Sequence, residues 1–433
     1  MSNTTLDDQY TQLSEDLLDF LIDGGKLAVI KAPPGSGKTF TLVEVLSALA
    51  REGSRIALGC QTNSQVDDVC NRLVKKGALT VRFSSSTYPT PDDLDPHVLV
   101  IRDKKQLPAG PSVVVGTIAK WALTDILDPF DLFAVDEAWQ MSWADLMQCA
   151  LLSERFLLIG DPGQIPPVVT VDARRWDTSP RAPHLAAPTV VVDEPGLASV
   201  RFLGELPACR RLPHEAVEFI KPFYDFDFAA YADLGARGID VPGAHRFAQL
   251  GDGRPLAVTL PTPSNGPPIE VDHELAASAG TIVSAILDAG AMLRVDGKTR
   301  PLVASDIGVS STHRVMNATL ASALAPWSPA LRVDTPERWQ GLERPLMIAI
   351  HPLSGVTDPS AFDLETGRLC VMASRQQAGL ILLTRDHVGE TLANYVPSAE
   401  QAPGRPDVVG RGHDAHLRFW GALVDKGRVR TLT

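Results

Sequence analysis

The stretch from Leu27 to Thr39, LAVIKAPPGSGKT, constrains this chain more than any other. An apolar run of strand length leads into a turn carrying Gly35 and Gly37, a Lys-Thr pair follows, and Phe40 to Leu49 continues at helical period. Strand, glycine-rich turn and helix in that order read as a phosphate-binding loop. The glycines let backbone N–H groups close around phosphate oxygens, and the positive end of the new helix adds to the anion site. Pro34, Gly35, Ser36, Gly37, Lys38 and Thr39 are therefore the candidate triphosphate contacts, with Lys38 on the β- and γ-phosphates and the Thr39 hydroxyl on Mg²⁺. Ala32 stands where the consensus has its first glycine, and it fits only if its φ stays below zero. A nucleoside triphosphate is the expected ligand, ATP first among them.

At 433 residues the chain is long for one core, so two domains are expected. Hydrophobic residues make up 44% and charged residues 21%, a globular balance, and no apolar run approaches the roughly 18 residues of a membrane span. No membrane association is expected. The opening MSNTTLDDQYTQLSED is polar and acidic, which argues against an export signal. Cys60, Cys70, Cys149, Cys209 and Cys370 are odd in number and form no CxxC, which argues against a disulfide framework or zinc module and for a reducing cytoplasm. A net charge of −12 leaves room for a nucleic-acid site only as a local groove.

Residues 5–22 have a helix-like pattern, and Gln9 and Gln12 lie ahead of the loop, either to read an adenine edge or to sit on a solvated helix face. Arg55 to Cys60 reads as a strand and Gln61 to Leu73 as a helix, which puts Thr62 and Asn63 at a strand's carboxyl end. Ser84 to Pro96 is a loop, His97 to Arg102 and Ser112 to Gly116 are buried strands, and Thr117 caps a helix. This alternation predicts an α/β fold, a mainly parallel sheet flanked by helices, with ligands at the carboxyl ends of the strands. The strand Asp131 to Val135 delivers Asp136 and Glu137. Two adjacent carboxylates repel unless a cation or a reaction step uses them, so Asp136 is assigned to Mg²⁺ and Glu137 to the attacking water. Arg155 to Ile159 ends in GDPGQIPPVV, placing Asp161 and Gln164 on a turn where Gln164 can sense the γ-phosphate.

Together APPGSGKT, QTNSQVDDV, VVVGTIAK, VDEAWQ and GDPGQIPPVV resemble motifs I, Ia, Ic, II and III of the superfamily 1 helicases. The DEAxQ form and the PPVV ending are similar to the 1B branch that contains the nonsense-mediated-decay helicase and senataxin. Downstream, LPACRRLPHEAVEFIKPFY resembles motif IV, with Cys209 where the family has an adenine-stacking Tyr. DIGVSSTHR looks like the strand and loop that open the second half's nucleic-acid face. TPERWQGLE matches motif V at Thr335, Gln340, Gly341 and Glu343, and CVMASRQQAGLILL resembles motif VI, with Gln377 for the usual Lys.

The resemblance implies two RecA-like domains, over 1–205 and 206–400, with a tail over 401–433 and the ATP site between the domains. It makes Lys38, Glu137 and Gln164 catalytic from the first domain and Arg210 and Arg375 arginine fingers from the second. It adds Glu343, with Gln12, to the nucleotide contacts. Single-stranded DNA or RNA would run over Thr62, Asn63, Gly116 and Thr117 on one side and Ser311, Thr312 and Thr335 on the other, held by phosphate contacts that carry no base information. Trp121, Trp139 and Trp339 are core residues or stacking platforms. The implied activity is an ATP-dependent, 5′-to-3′ translocase or helicase, with a protein partner for loading or processivity. The alternatives are a nucleotide-gated switch that does not travel and a phosphate-loop NTPase with a small-molecule substrate. With Cys209 in place of the Tyr, weak selectivity among ATP, GTP and CTP is expected.

Overall fold

Short apolar runs separated by helices, with the central strands buried on both faces, drive the chain into two main parallel sheets. The computed structural model describes residues 3–397 and 407–432, apart from 127, 169–171, 177, 178 and 244. Packing divides these residues into two units, 3–162 with 166–207, and 163–165 with 208–397 and 407–432.

The first unit contains α1 (Asn3–Ile22), β1 (Leu27–Lys31), α2 (Lys38–Arg51), β2 (Arg55–Cys60), α3 (Asn63–Lys75), β3 (Thr80–Phe83), β4 (Leu99–Ile101), β5 (Ser112–Thr117), α4 (Ile118–Ala122), β6 (Leu132–Val135), α5 (Trp143–Gln148), β7 (Phe156–Gly160), α6 (Ala187–Asp193) and β8 (Arg201–Glu205). Its strands form one sheet in the order β4-β3-β5-β2-β6-β7-β1-β8, every pair parallel. Alternate residues of β1 feed opposite cores. Ala28 and Ile30 pack with Leu17, Leu46 and Val69 of α1 to α3, and Leu27 and Val29 pack with Trp121, Leu146 and Val191 of α4 to α6. Sequence pattern places no strand over β3 or β8. In β3 the charged Arg82 interrupts the apolar run, and in β8 charges stand at both ends around a glycine. The expected connector from Thr170 to Ala198 starts outside the described residues and contains α6.

The second unit contains β9 (Ala208–Cys209), α7 (His214–Ile220), β10 (Ala229–Ala230), β11 (Arg237–Asp240), β12 (Leu256–Leu260), α8 (His273–Asp288), β13 (Met292–Val295), β14 (Lys298–Pro301), β15 (Ile307–Ser310), α9 (Arg314–Ala323), β16 (Arg332–Asp334), α10 (Pro336–Trp339), β17 (Arg344–Ile350), α11 (Thr366–Ser374), β18 (Gln376–Arg385), α12 (Val388–Asn394), α13 (Val408–Asp425) and β19 (Val429–Thr431). Its main sheet runs β16-β15-β17-β18-β12-β19, again all parallel. Residues 225–253, which match no known pattern, supply β10 and β11, and β11 joins β13 and β14 in a small antiparallel sheet.

The boundary expected at residue 400 lies outside the described residues. Beyond it, residues 407–432 belong to the second unit. His416, Phe419, Trp420 and Leu423 recur at helical spacing on α13, all buried, and the apolar three pack with Phe223, Leu364 and Val388. β19 then extends the main sheet beside β12. Of the two readings open for the His416 segment, the structure takes the last core helix over a docking helix. Among the described residues no helix is long and apolar enough to cross a membrane.

The same core holds two histidines in T-shaped contact, His351 and His416, with ring centroids 5.5 Å apart. His351 Nδ1 accepts from the Leu353 amide, while His351 Nε2 and both nitrogens of His416 find no partner among the described residues. Burial, with His413 nearby, pushes His416 from its ordinary 6.5 down to about 3, and burial, with His416 and His387 nearby, lowers His351 well below 6.5. An imidazole depressed in the folded state stabilises the fold fully above the unfolded value, and that contribution drains away as pH falls below about 6.5. Each histidine should cost about 1.4 kcal/mol per pH unit below that point. Thermal unfolding measured from pH 7.5 down to 5 should therefore show a steep loss of stability that His416→Leu makes shallower.

Candidate nucleotide and nucleic-acid site

Three neighbouring strands of the first sheet, β6, β7 and β1, bring the acidic pair, Asp161 and the phosphate loop to one edge. Gly35 and Gly37 both take positive φ, 60° and 87°, so the loop can turn its amides inward before α2 begins. Ala32 keeps a negative φ. Among described non-glycine residues only Glu137, Glu270 and Asp296 are positive. Among the described residues the buried Ser36 hydroxyl has no hydrogen-bond partner, an orphan donor inside a loop built for anions. The loop thus fits a polyphosphate on its own geometry.

Lys38 Nζ lies 2.8 Å from Glu137 Oε1, and Thr39 Oγ1 donates to Asp136 Oδ2 at 3.2 Å. Burial alone would lower the Lys38 pKa, but the carboxylates of Glu137, Asp136 and Asp161 outweigh it and raise the value. Burial, reinforced by Glu137, pushes Asp136 up to about 6 against the pull of Lys38. The hydroxyl and carboxylate of Thr39 and Asp136 are hard oxygen ligands that suit Mg²⁺. Glu137 itself sits in the left-handed region at φ 54°, a strained position of the kind that collects at active sites.

Other assigned residues fall differently. Gln12 is exposed on α1 and donates to Asp16 at 2.8 Å, the solvated-face reading, whereas Tyr10 of the same helix donates its hydroxyl to the Ser36 carbonyl at 2.6 Å. Sequence pattern alone assigns no such contact, since a Tyr on an amphipathic helix carries no distinguishing mark. Gln164 is expected with the first unit's carboxylates. Gly163 to Ile165 belong to the second unit, where Ile165 joins the core and a Cβ on Gly367 would meet the Gln164 backbone at 2.6 Å.

In the second unit Arg210 lays its guanidinium over the Tyr231 ring, 3.9 Å from the centroid, and Arg375 is buried at the end of α11. Both Glu343 oxygens are engaged, Oε2 by Arg211 Nε at 2.7 Å and Oε1 by Gln377 Nε2 at 2.6 Å. Burial would raise the Glu343 pKa, but Arg211, Gln377 and Arg375 together lower it. Arg211 carries no sequence signal that sets it apart from Arg210. Cys209 is fully buried, its sulfur accepting from the Leu212 amide, so it offers no face to a base.

The polymer candidates of the first unit cluster. β2 and β5 are adjacent, with Cys60 opposite Thr117, and Thr62 and Thr117 cap α3 and α4 through their hydroxyls. Asn63 opens α3 beside them. Gly116 is explained by packing, because a Cβ there would lie 3.1 Å from Trp121 Nε1. In the second unit Ser311 is corrected to a structural role. It is buried, and Asn317 takes both its N–H, at 3.0 Å, and its carbonyl, at 2.7 Å. Thr312 stays part-exposed on a cavity of about 550 Å³ whose charged lining residues, Glu270, Asp272, Asp358 and Asp363, are all acidic. Thr335 opens α10 without a side-chain cap bond. Trp121, Trp139 and Trp339 are buried core residues, and Trp121 and Trp339 spend their N–H groups on the carbonyls of Leu58 and Val309.

A family profile described as AAA domain matches residues 9–99, which hold the loop and the Thr62-Asn63 turn. The DNA replication ATP-dependent helicase/nuclease DNA2 of Saccharomyces cerevisiae is 28% identical over 171 residues, 37% of this chain and 11% of that protein. The probable RNA helicase armi of Drosophila melanogaster is 39% identical over 77 residues, 16% of this chain and 6% of its own length. Over these stretches the chain is similar to proteins described as ATP-dependent DNA helicases and a probable RNA helicase. It spans only about a tenth of the length of the curated relatives it matches. Among solved structures, the chain is similar to Arterivirus nonstructural protein 10, a helicase, with a TM-score of 0.44 and 17% identity over 89% of this chain and 63% of that one.

Proposed function

We propose that this chain is an ATP-driven motor that moves along single-stranded nucleic acid. The observation that carries the reading is the grouping of Lys38, Thr39, Asp136 and Glu137 at one sheet edge. A triphosphate entering the loop offers Lys38 a stronger anionic partner than Glu137. Glu137 is then released to accept a proton from the attacking water, while Ser36 and the loop amides hold the phosphates. Mg²⁺, held by Thr39 and Asp136, would neutralise phosphate charge. Arg210 and Arg375 are proposed to stabilise the charge that develops on the γ-phosphoryl, and Gln164 to sense that group.

Thr62, Asn63, Thr117, Thr312 and Thr335 are the proposed polymer contacts. The 1B resemblance supports 5′-to-3′ movement. Only 18 residues separate Thr117 from Asp136, too few for an inserted domain with its own core to brace a duplex, so unwinding of long duplexes should need a partner protein. Five free, buried cysteines accord with a reducing cytoplasm.

Turnover, translocation and unwinding on tailed DNA and RNA substrates test this. The expected result is turnover stimulated by single strands, 5′-to-3′ movement, displacement of short duplexes and little opening of long ones. Opposite polarity or efficient opening of a long duplex would overturn the polarity or the weak-unwinding claim. Turnover indifferent to every polymer would establish the nucleotide-gated switch instead.

A further inference from the structure

Arg82, in the middle of β3, is 1% exposed, and it has the surroundings of a positioning device. Its Nε donates to Asp67 Oδ1 at 2.8 Å, one terminal nitrogen donates to Asn63 Oδ1 at 2.8 Å, and the other donates to the Phe83 carbonyl at 3.1 Å. Asp67 is held in turn on its second oxygen by the Tyr88 hydroxyl at 2.8 Å, and the Tyr88 ring lies against the guanidinium, 4.9 Å from centroid to Cζ. A guanidinium can only donate, so the Asn63 amide must present its oxygen to Arg82 and its NH₂ to the other side. That NH₂ group makes no hydrogen bond among the described residues, and it stands at the first turn of α3 beside the Thr62 cap.

We propose that Arg82 is a positioning residue for polymer binding, which locks the Asn63 amide so that its two N–H donors face the phosphate oxygens of a single strand. Asp67 and Tyr88 hold Arg82 in register, and Tyr88 thereby ties the loop over residues 84–96 to the same unit. The inference rests on the proposed nucleic-acid function. Its specific content is that Asn63 acts only as a donor.

Asn63→Asp separates this from a purely structural role. An aspartate keeps an acceptor for Arg82, gains charge complementarity with it and sits favourably in the first turn of a helix, so thermal stability should hold or rise. Its second oxygen, however, replaces the donors with an acceptor and a negative charge. Affinity for labelled oligo-dT and oligo-rU, followed by anisotropy in the full chain, should fall by about tenfold or more, the scale of one lost bond to a charged group. Ser64→Asp, which adds the same charge on an exposed neighbour, should lower affinity by less than about threefold. Arg82→Lys keeps the charge but loses the fork, and should also weaken binding by roughly tenfold. Wild-type affinity in Asn63→Asp, or an equal loss in Ser64→Asp, would overturn the positioning role while leaving the motor reading intact. Failure of the wild-type chain to bind either strand in any nucleotide state would overturn both.

Discussion

Lys38→Ala should abolish productive triphosphate use, and Glu137→Gln should keep or tighten triphosphate binding while turnover falls by about 10² to 10⁴. The difference follows from the 2.8 Å pair between the two side chains. On the proposed mechanism Lys38 neutralises phosphates in the ground state, so its loss should remove binding itself. Glu137, paired with Lys38 at rest, is proposed to compete with those phosphates and to serve the water only during the step. Removing its charge therefore frees the lysine and forfeits the base. Calorimetric binding of ATP beside steady-state turnover checks both claims, and turnover near wild type in Glu137→Gln would remove the assignment.

The second large effect lies far from the chemistry. Removing residues 408–433 should leave the second unit unable to fold cooperatively, because Phe419, Trp420 and Leu423 line its core. Gly412→Ala is the finer probe. A Cβ there would lie 2.1 Å from the Leu364 carbonyl oxygen, and overpacking against backbone costs about 1–3 kcal/mol or more. Gly421→Ala, on the same helix with nothing within 4 Å, should gain roughly 0.5–1 kcal/mol from helix propensity. Thermal melts of the two variants should move in opposite directions. A melt unchanged in Gly412→Ala would mean that α13 is not clamped to Leu364.

Residues whose role is set by their own local sequence are readable without a structure. The loop, the Asp136-Glu137 turn and the Thr62 and Thr117 caps depend on a strand, a short turn and a helix start, and these are written in consecutive residues. Roles set by what arrives from elsewhere are not readable. β3 escapes pattern reading because its central Arg82 looks solvent-bound until Asp67 and Asn63 are seen to receive it. Ser311 loses its expected polymer contact because Asn317, six positions on, takes its backbone groups. Gln164 belongs to the second unit, where Gly367, some two hundred residues later, leaves room for its backbone. Arg211 gives no sign beside Arg210 that it is the one paired with Glu343.

The edge pairing of Val429 with Ala257 also bears on how the chain is made. Among the described residues the first unit uses none beyond 207, and its sheet ends with β8, so that sheet can form while the ribosome is still adding the rest. The second cannot. Its strand β12 waits with an open edge, and the groove meant for α13 stays uncovered, until residues beyond 408 have left the exit tunnel. Pairing across so long a separation is intrinsically slow, and an unpaired edge invites strands from other nascent chains. Protection during synthesis is therefore needed for the second unit far more than for the first, and aggregates formed by overproduction should carry the second unit unfolded beside a native first unit.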